Sequence, residues 1–550
     1  MSSASLRLSV IATVYCAVHG LAQPPITQLN PMVKKIVDEV SEERIGATMK
    51  HLGEYGTRYV ASDQDNPTHG IGGASRWISE QFNSYSPRLE VSFQNFSVPK
   101  TQRTPKQLDL VNVVAILPGT IDKDRYVIIS GHYDSIALRR QTNGAAAQPT
   151  DDGPANAADA DPLAPGVADD ASGTAATMEL ARVMSQYTFD KTIIFVTFAA
   201  EEIGLNGSKA FAAKAKADKM QIEGVLNNDI IGSDISGNGM SANNHVRVFS
   251  EGPEDSISRS LARYTKEIGE RYMPSMTVDL IFRHDRFGRG GDHTSFVAEG
   301  FAAVRLTTPS ENYANQHSAT DTFDHASVPY TTRVAKVNAA VLATLALAPK
   351  PPTVATVRGA GGGGGARGAG AGGAGRAAGD AAPATGTAGT AAAGTPPPTA
   401  NVATPAAGGG ARGGAGAQAG QPGQGGQGGR GGGRGGRGAT GPGLSRGKGY
   451  DAVARWTMPT PEPDLAGYAI VVRDTTAAYW QREIYVGNVT EYTMPDTSID
   501  DVIIGVRAID KDGNPSLVSA YVMAPTRLIE ATPAAGGQRP PTGGGPGGGQ

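Results

Sequence analysis

The sequence predicts an α/β fold: a mostly parallel central sheet with helices on both faces, followed by a small all-β sandwich. Three observations carry that prediction. Between residues 26 and 348, short apolar runs ended by turn residues alternate with stretches of helical periodicity, the signature of a covered parallel sheet. From about Gly359 to Lys448 the chain is dominated by Gly and Ala, which bury too little surface to offset chain entropy, so this tract reads as a disordered linker. Beyond it, β-rich runs separated by turns read as a sandwich, and a Gly/Pro-rich tail begins near Thr532.

A length of 550 residues allows about two to four domains. A formal net charge of −3 gives no global bias toward nucleic acid or membrane, and the apolar fraction of 39% is lowered locally by the glycines of the tract. Residues 1 to about 22 have the form of a secretory signal peptide: Arg7, an apolar run from Leu8 to Val18, then Gly20-Leu21-Ala22 as a small-residue cleavage site. The run is too short for a membrane anchor and lacks basic residues on its far side, so the chain is expected to be secreted or periplasmic with no membrane span. The single cysteine, Cys16, falls inside this leader. The mature chain therefore has neither disulfides nor thiolate chemistry, and any metal must be held by His and carboxylates.

Taken in order, Leu29, Val33, Ile36, Val37 and Val40 recur at helical spacing, Gly56-Thr57-Arg58-Tyr59 interrupts, and a helix resumes from Ala74 to Phe82. Strands follow at Leu89 to Phe96, Asn112 to Leu117 and Tyr126 to Ser130. Residues 137–165 form an Ala/Asp/Pro-rich insertion without periodicity, expected to be a solvated loop; its acids lack calcium-loop spacing. A helix over Thr174 to Tyr187, a strand over Thr192 to Phe198, a helix over Ser208 to Ala217 and a strand over Ile222 to Leu226 continue the alternation. Further strands are predicted at Val246 to Phe249, Val278 to Phe282 and Ala302 to Leu306, with helices at Ser256 to Gly269, His293 to Glu299 and Val328 to Leu347. The sandwich strands are Val453 to Trp456, Tyr468 to Val472, Glu483 to Val486 and Val502 to Ile509. Pro351 to Val357 reads as a first strand separated from the rest by the tract, since no strand pattern lies between Ala439 and Gly449. Arginines 430, 434 and 437 resemble RNA-binding arginine-glycine segments, but an exported chain with no other basic patch predicts no nucleic-acid partner.

The chemistry gathers where strands end. Asp169-Asp170 stand at the mouth of a helix, where two adjacent carboxylates are costly unless a positive charge neutralises them. Gly131-His132-Tyr133-Asp134 lies upstream; Glu201-Glu202, Asn228-Asp229 and His317 lie downstream. Split around Asp169, a His, an Asp, a Glu, an Asp and a His give two sets of three, each with one His, one carboxylate of its own and the shared one. Such nitrogen/oxygen sets suit zinc with a position left for water, and a pair of ions activates that water. Of Glu201 and Glu202, one carboxylate binds metal and its neighbour takes the proton. Each feature alone has a plain structural reading, as helix cap, solvated pair or core histidine. His245, His284, His293 and His325 read as structural residues or as residues standing behind the ligands.

The segments GHYDS, APGVADDASG, FAAEEIGLNGS, NNDIIG and HSATDT resemble those of the M28 family of zinc aminopeptidases, over roughly residues 40 to 348. The resemblance implies the zinc exopeptidase fold and two zinc ions. One would be bound by His132, Asp169 and Asp229 and the other by Asp169, Glu202 and His317, with Glu201 as general base. It also implies that Asp134 orients His132 and that the Asp169–Asp170 peptide is cis. The chain departs from secreted members in lacking cysteines near the substrate pocket, where it has Arg286 to His293, and in carrying the 137–165 insertion. The second domain resembles a fibronectin type III domain, with Trp456 and Tyr468 at core positions; it reads as an adhesion or spacing module whose partner the sequence does not identify.

The expected function is removal of N-terminal residues from peptides. A carboxypeptidase of the same fold is the rival, because Arg283, Arg286, Arg289 and Arg305 offer a clamp for a terminal carboxylate. A glutaminyl cyclase or a non-catalytic binding protein are further alternatives.

Overall fold

The computed structural model describes residues 29–101, 104, 106–140, 149–154, 161–286, 290–355 and 442–522. The leader, nearly all of the Gly/Ala tract, Arg289 and the 532–550 tail lie outside the described residues. Helix α1 (Pro31–Asp38) starts where the Asn30 side chain accepts the N–H groups of Met32 and Val33, and buries Val33, Ile36 and Val37. Helix α2 (Glu42–Glu54) is capped by Ser41 and buries Ile45, Met49 and Leu52. Helix α3 spans Gly70–Tyr85. Strands β1 (Glu90–Val98), β2 (Leu108–Leu117) and β3 (Asp122–His132) lead to helix α4 (Ser172–Met184). Then follow β4 (Lys191–Phe198), α5 (Asn206–Ala217), β5 (Gln221–Asn228), β6 (His245–Phe249) and α6 (Ile257–Tyr272). Strand β7 (Thr277–Ile281), α7 (His293–Ala298), β8 (Ala303–Thr307) and α8 (Val328–Leu347) complete this part.

These strands form one eight-stranded sheet in the order β1-β2-β4-β3-β5-β8-β6-β7. The central run β4-β3-β5-β8 is parallel, as is β6-β7, while β1-β2, β2-β4 and β8-β6 are antiparallel. One face packs Val127, Ile129, Phe195, Leu226, Val304 and Leu306 against α1–α4, α6 and α8; the other packs Ile128, Ile194, Val196 and Val225 against α5 and α7. Helices therefore cover both faces, which is why the central strands are apolar on every residue rather than on alternate ones.

Two expectations need correction. The 137–165 insertion is not featureless: Leu138–Arg140 pairs antiparallel with Pro149–Pro154, and Ala164, Pro165 and Gly166 are buried. The pairing is carried by backbone, which an Ala/Asp/Pro composition conceals. Nor is the 439–449 stretch without a strand: β9 (Gly443–Arg446) pairs with β10 (Ala452–Arg455), ahead of the expected domain start at 449. Strands β11 (Leu465–Asp474), β12 (Arg482–Gly487), β13 (Glu491–Met494), β14 (Val502–Asp510) and β15 (Ser519–Ala520) complete an all-β unit. Its sheets are β9-β10-β13 and β12-β11-β14-β15, closed over Trp456, Tyr468, Ile470, Met494, Ile504 and Val506. Thr353 forms one antiparallel bridge with Thr457, and Val354 packs on this core.

The all-β unit docks on α6 and is not merely tethered. The buried Arg507 guanidinium reaches Glu267 at 2.8 Å and also pairs with Glu483; Arg473 reaches Asp255 at 2.7 Å. Tyr264 donates its hydroxyl to the Pro515 carbonyl at 3.0 Å, and the Asn30 amide donates to Asn514 at 3.2 Å.

Candidate metal centre

Every predicted site residue lies at the C-terminal edge of the parallel strands or on a loop beside it. His132 is the last residue of β3, Glu201 and Glu202 follow β4, Asp229 follows β5, Asp169 precedes α4, and His317 ends the loop after β8. The loops turn sharply: Ala200, Ile230 and His317 have positive φ (64°, 60° and 53°). Such backbone is costly for non-glycine residues and persists where the surroundings over-determine it. A Cβ at Gly131 would strike the Gly173–Thr174 backbone, so only glycine lets β3 run this close to the mouth of α4.

Asp169 and Asp170 divide the work. Asp170 is wholly buried and is a staple: its carboxylate accepts the N–H groups of His132 (3.1 Å), Gly173 (2.9 Å) and Ile230 (3.2 Å), tying together β3, α4 and the end of β5. Asp169 faces the histidines. Its Oδ1 lies 3.2 Å from His132 Nε2 and its Oδ2 lies 3.0 Å from His317 Nε2. His132 Nε2 is also 3.8 Å from Asp229 Oδ1, and His317 Nε2 is 3.1 Å from Glu202 Oε2. The five residues thus form two trios that share Asp169, and Glu201 sits in a third cluster with His132 and Glu202. The Asp169–Asp170 peptide is cis.

The charges favour a cation. Burial opposes ionisation of Asp169, yet His132 and His317 hold its carboxyl well below the usual range. Burial also opposes a charged His132, and the carboxylates of Asp134, Asp169 and Asp229 outweigh it, raising the ring well above its ordinary value. Burial, reinforced by Asp229 and Glu202 against the pull of His132, raises Glu201 well above the ordinary carboxyl range. His132 Nε2 is buried with no hydrogen-bond partner and is aimed between two carboxylates. An orphaned imidazole nitrogen among buried carboxylates is a donor set that fits a divalent metal.

Several supporting residues have no such role in the sequence reading, although Asp321 stands within HSATDT and Arg305 among the clamp arginines. Arg58, wholly buried, donates to the carbonyls of Leu52, Tyr133, Pro165 and Gly166, fixing the loop before Asp169 to the end of β3. Asp321 accepts the N–H groups of Ala168 (2.9 Å) and Asp169 (3.0 Å). The Gln316 amide donates to Asp169 Oδ2 at 2.9 Å. Arg305 lies 2.9 Å from Asp229 Oδ1. Glycine and proline punctuation marks these loops but does not say which polar side chain closes them.

Residues 112–342 match the model of peptidase family M28. A probable zinc metalloprotease of Pyrenophora teres f. teres is 36% identical over 365 residues, 60% of this chain and 71% of that protein. Another, from Leptosphaeria maculans, is 35% identical over 348 residues, 58% of this chain and 77% of the relative. The chain belongs to peptidase family M28. Among solved structures it is similar to the Legionella pneumophila LapA aminopeptidase, at 22% identity, 58% of this chain, 75% of that chain and a TM-score of 0.43.

In this M28 centre Asp134 meets His132 Nδ1 with its carbonyl at 3.1 Å and a carboxylate oxygen at 3.6 Å. That carboxylate also accepts the backbone N–H groups of Glu201 (3.2 Å) and Glu202 (3.3 Å). One detail differs from expectation: among the described residues, Arg283, Arg286 and Arg305 do not form an open clamp. Arg305 is wholly buried between Asp229 and Asp285, Arg286 is paired with Asp285 and Glu311, and Arg283 donates to the carbonyls of His284 and Asp285. His245, His284 and His325 stay outside the trios, and burial pushes His293, the first residue of α7, down to about 4.

Proposed function

We propose that this M28 chain is an exported aminopeptidase that holds two zinc ions and releases N-terminal residues from peptides. The observation that carries this reading is Asp169, whose two carboxylate oxygens face different histidines. His132, Asp169 and Asp229 would hold one ion; Asp169, Glu202 and His317 would hold the other. Bound there, the ions supply a water of lowered pKa and polarise the scissile carbonyl. Glu201 is needed by neither trio, and its place beside His132 and Glu202 suits a group that takes a proton and passes it to the leaving amine. Asp134 accepts the adjacent backbone N–H groups of Glu201 and Glu202, which holds the backbone from which base and ligand project.

The preference for a free amine follows from charge. Glu202 and Asp229 would be neutralised by the ions they hold, which leaves Glu201, outside both trios, to attract a substrate ammonium. The carboxylate partners of Arg286 and Arg305 weigh against the carboxypeptidase alternative as far as it rests on those two arginines. Export rests on the leader pattern; no described helix is long and apolar enough to cross a membrane. The test is purified protein with aminoacyl-arylamides, N-acetylated peptides and peptides beginning with glutamine, with and without chelator. Hydrolysis of the free-amine substrates alone, lost with chelator and restored by zinc, is expected. Cleavage of acetylated peptides from the carboxyl end would favour the carboxypeptidase, and pyroglutamate formation without release would favour a glutaminyl cyclase.

A further inference from the structure

Beside the centre lies a cavity of about 540 Å³ lined by Asn238, Met240, Arg247, Ser310, Glu311 and Tyr313. Its position relative to the centre follows from strand register. Asn228 pairs with Leu306, and the Asp229 N–H continues that ladder to the Leu306 carbonyl at 3.1 Å, which places Thr307 beside Asp229. Thr307 in turn pairs with Arg247 of β6. Asp229, Thr307 and Arg247 therefore stand in one row across three strands, with Arg247 about 10 Å from Asp229 at the backbone, two strand spacings.

The face is fixed as well. Val246 and Val248 point into the core with Val304 and Leu306. Arg247 therefore emerges on the opposite face, the one where Arg305 meets Asp229. The far wall of the cavity is the start of the loop that ends in Gln316 and His317.

Arg247 differs from its neighbours in being unengaged. Arg286 and Arg305 are each matched to carboxylates, and Arg286 also holds the lining residue Glu311 at 2.7 Å. Among the described residues the Arg247 side chain has neither hydrogen bond nor ion pair; only its backbone joins the ladder. Asp279, its cross-strand neighbour, turns its carboxylate to His245 Nδ1 at 3.0 Å instead. A guanidinium without a partner in a cavity beside a peptidase centre is a ready bidentate receiver for a carboxylate.

We propose that this cavity is a substrate subsite in which Arg247 receives a carboxylate carried by the peptide two or three residues from the scissile bond. That span matches the row distance, since extended chain advances about 3.3–3.6 Å per residue. The carboxylate is either the free C-terminus of a tripeptide or an acidic side chain in a longer peptide. The inference rests on the aminopeptidase reading for its substrate class.

The experiment compares kcat/KM of the full chain for Leu-Ala-Ala against its carboxamide, and for Leu-Ala-Glu-Ala-amide against Leu-Ala-Gln-Ala-amide. Each carboxylate partner should be favoured about tenfold, the size of one charge-assisted contact. In R247Q the favoured ratio should collapse to about one, and in R247E it should fall below one. Among the described residues the Arg247 side chain donates no hydrogen bond and only its backbone joins the ladder, so these variants are expected to remain folded, which thermal melting checks. Dependence in the first pair alone assigns the terminal carboxylate, and in the second pair alone the side chain. Equal rates within both pairs, or a preference that survives R247E, overturn the subsite. If no free-amine peptide is hydrolysed, the activity reading fails separately. The same four peptides are then compared by calorimetric binding, where loss of the carboxylate preference in R247Q supports the subsite and its persistence overturns it.

Discussion

At the scale of single residues, Glu201 and Glu202 are adjacent in sequence yet face different tasks. Replacing Glu201 by Gln keeps shape and removes the proton acceptor, so turnover should fall by about 10²-fold or more. Zinc content, measured by atomic absorption, should stay near two per chain. Loss of zinc in E201Q would show the two glutamates in exchanged roles. Asp321 makes a second test, because it accepts two backbone N–H groups at the start of the Asp169 loop. D321A strands both donors, which predicts a loss of about 2–4 kcal/mol in denaturant unfolding and weaker zinc binding by titration. The groups that meet at the centre were legible because metal chemistry limits ligands to few residue types, and their order matches a known pattern. Arg58 and Gln316 were not, since an arginine or glutamine in a loop has the same sequence appearance whether solvated or buried; Arg305, read as part of a clamp, is instead held by Asp229 and Asp285.

At the scale of elements, α6 has two employments. Its Leu261, Ala262 and Ile268 enter the main core, while Tyr264 and Glu267 meet the all-β unit. Removing one partner of a buried ion pair costs more than the pair contributes, because the remaining charge is left desolvated. R507M leaves Glu267 and Glu483 without their shared guanidinium, which predicts a loss of about 3 kcal/mol by chemical denaturation. Chelator-treated protein should show the same loss, since this interface involves no metal-centre residue. The strands and helices of the α/β part were readable from periodicity because burial on both faces leaves near-continuous apolar runs. The short hairpin in the 137–165 insertion and strand β9 were missed because their pairing rests on backbone groups, which composition does not display. The docking of the all-β unit was hidden as well: Arg473 and Arg507 are single charges in otherwise apolar strand runs, with nothing in sequence to mark a partner on another element.

At the scale of the whole molecule, the junction between the two parts is sensitive to pH. Burial, with Asp464 and Asp510 adding to it, pushes the Asp190 carboxyl up to about 6 from an ordinary value of 3.8. Asp510 is pushed up to about 6 by burial and by Asp464. A folded-state pKa raised above the unfolded one favours the protonated folded form, so the contribution is complete below about 4 and lost as pH rises through about 6. D190N should therefore be more stable than the parent at pH 7 by roughly 1 kcal/mol or less, allowing for solvent screening of a half-exposed group. The two should melt together at pH 4. A parent and variant that keep a constant difference from pH 4 to pH 7 would contradict this linkage. The pairings of Thr353 with Thr457 and of Gly443 with Arg455 bring the two ends of the 356–441 segment to one corner of the all-β unit. Topologically the fold is thus already a split protein: one backbone cut between residues 360 and 440 should leave two fragments that co-elute as one particle, and a circular permutant opened there should fold. Shortening the span tenfold, to about eight residues, should stabilise the uncut chain by about 2 kcal/mol through closure entropy alone.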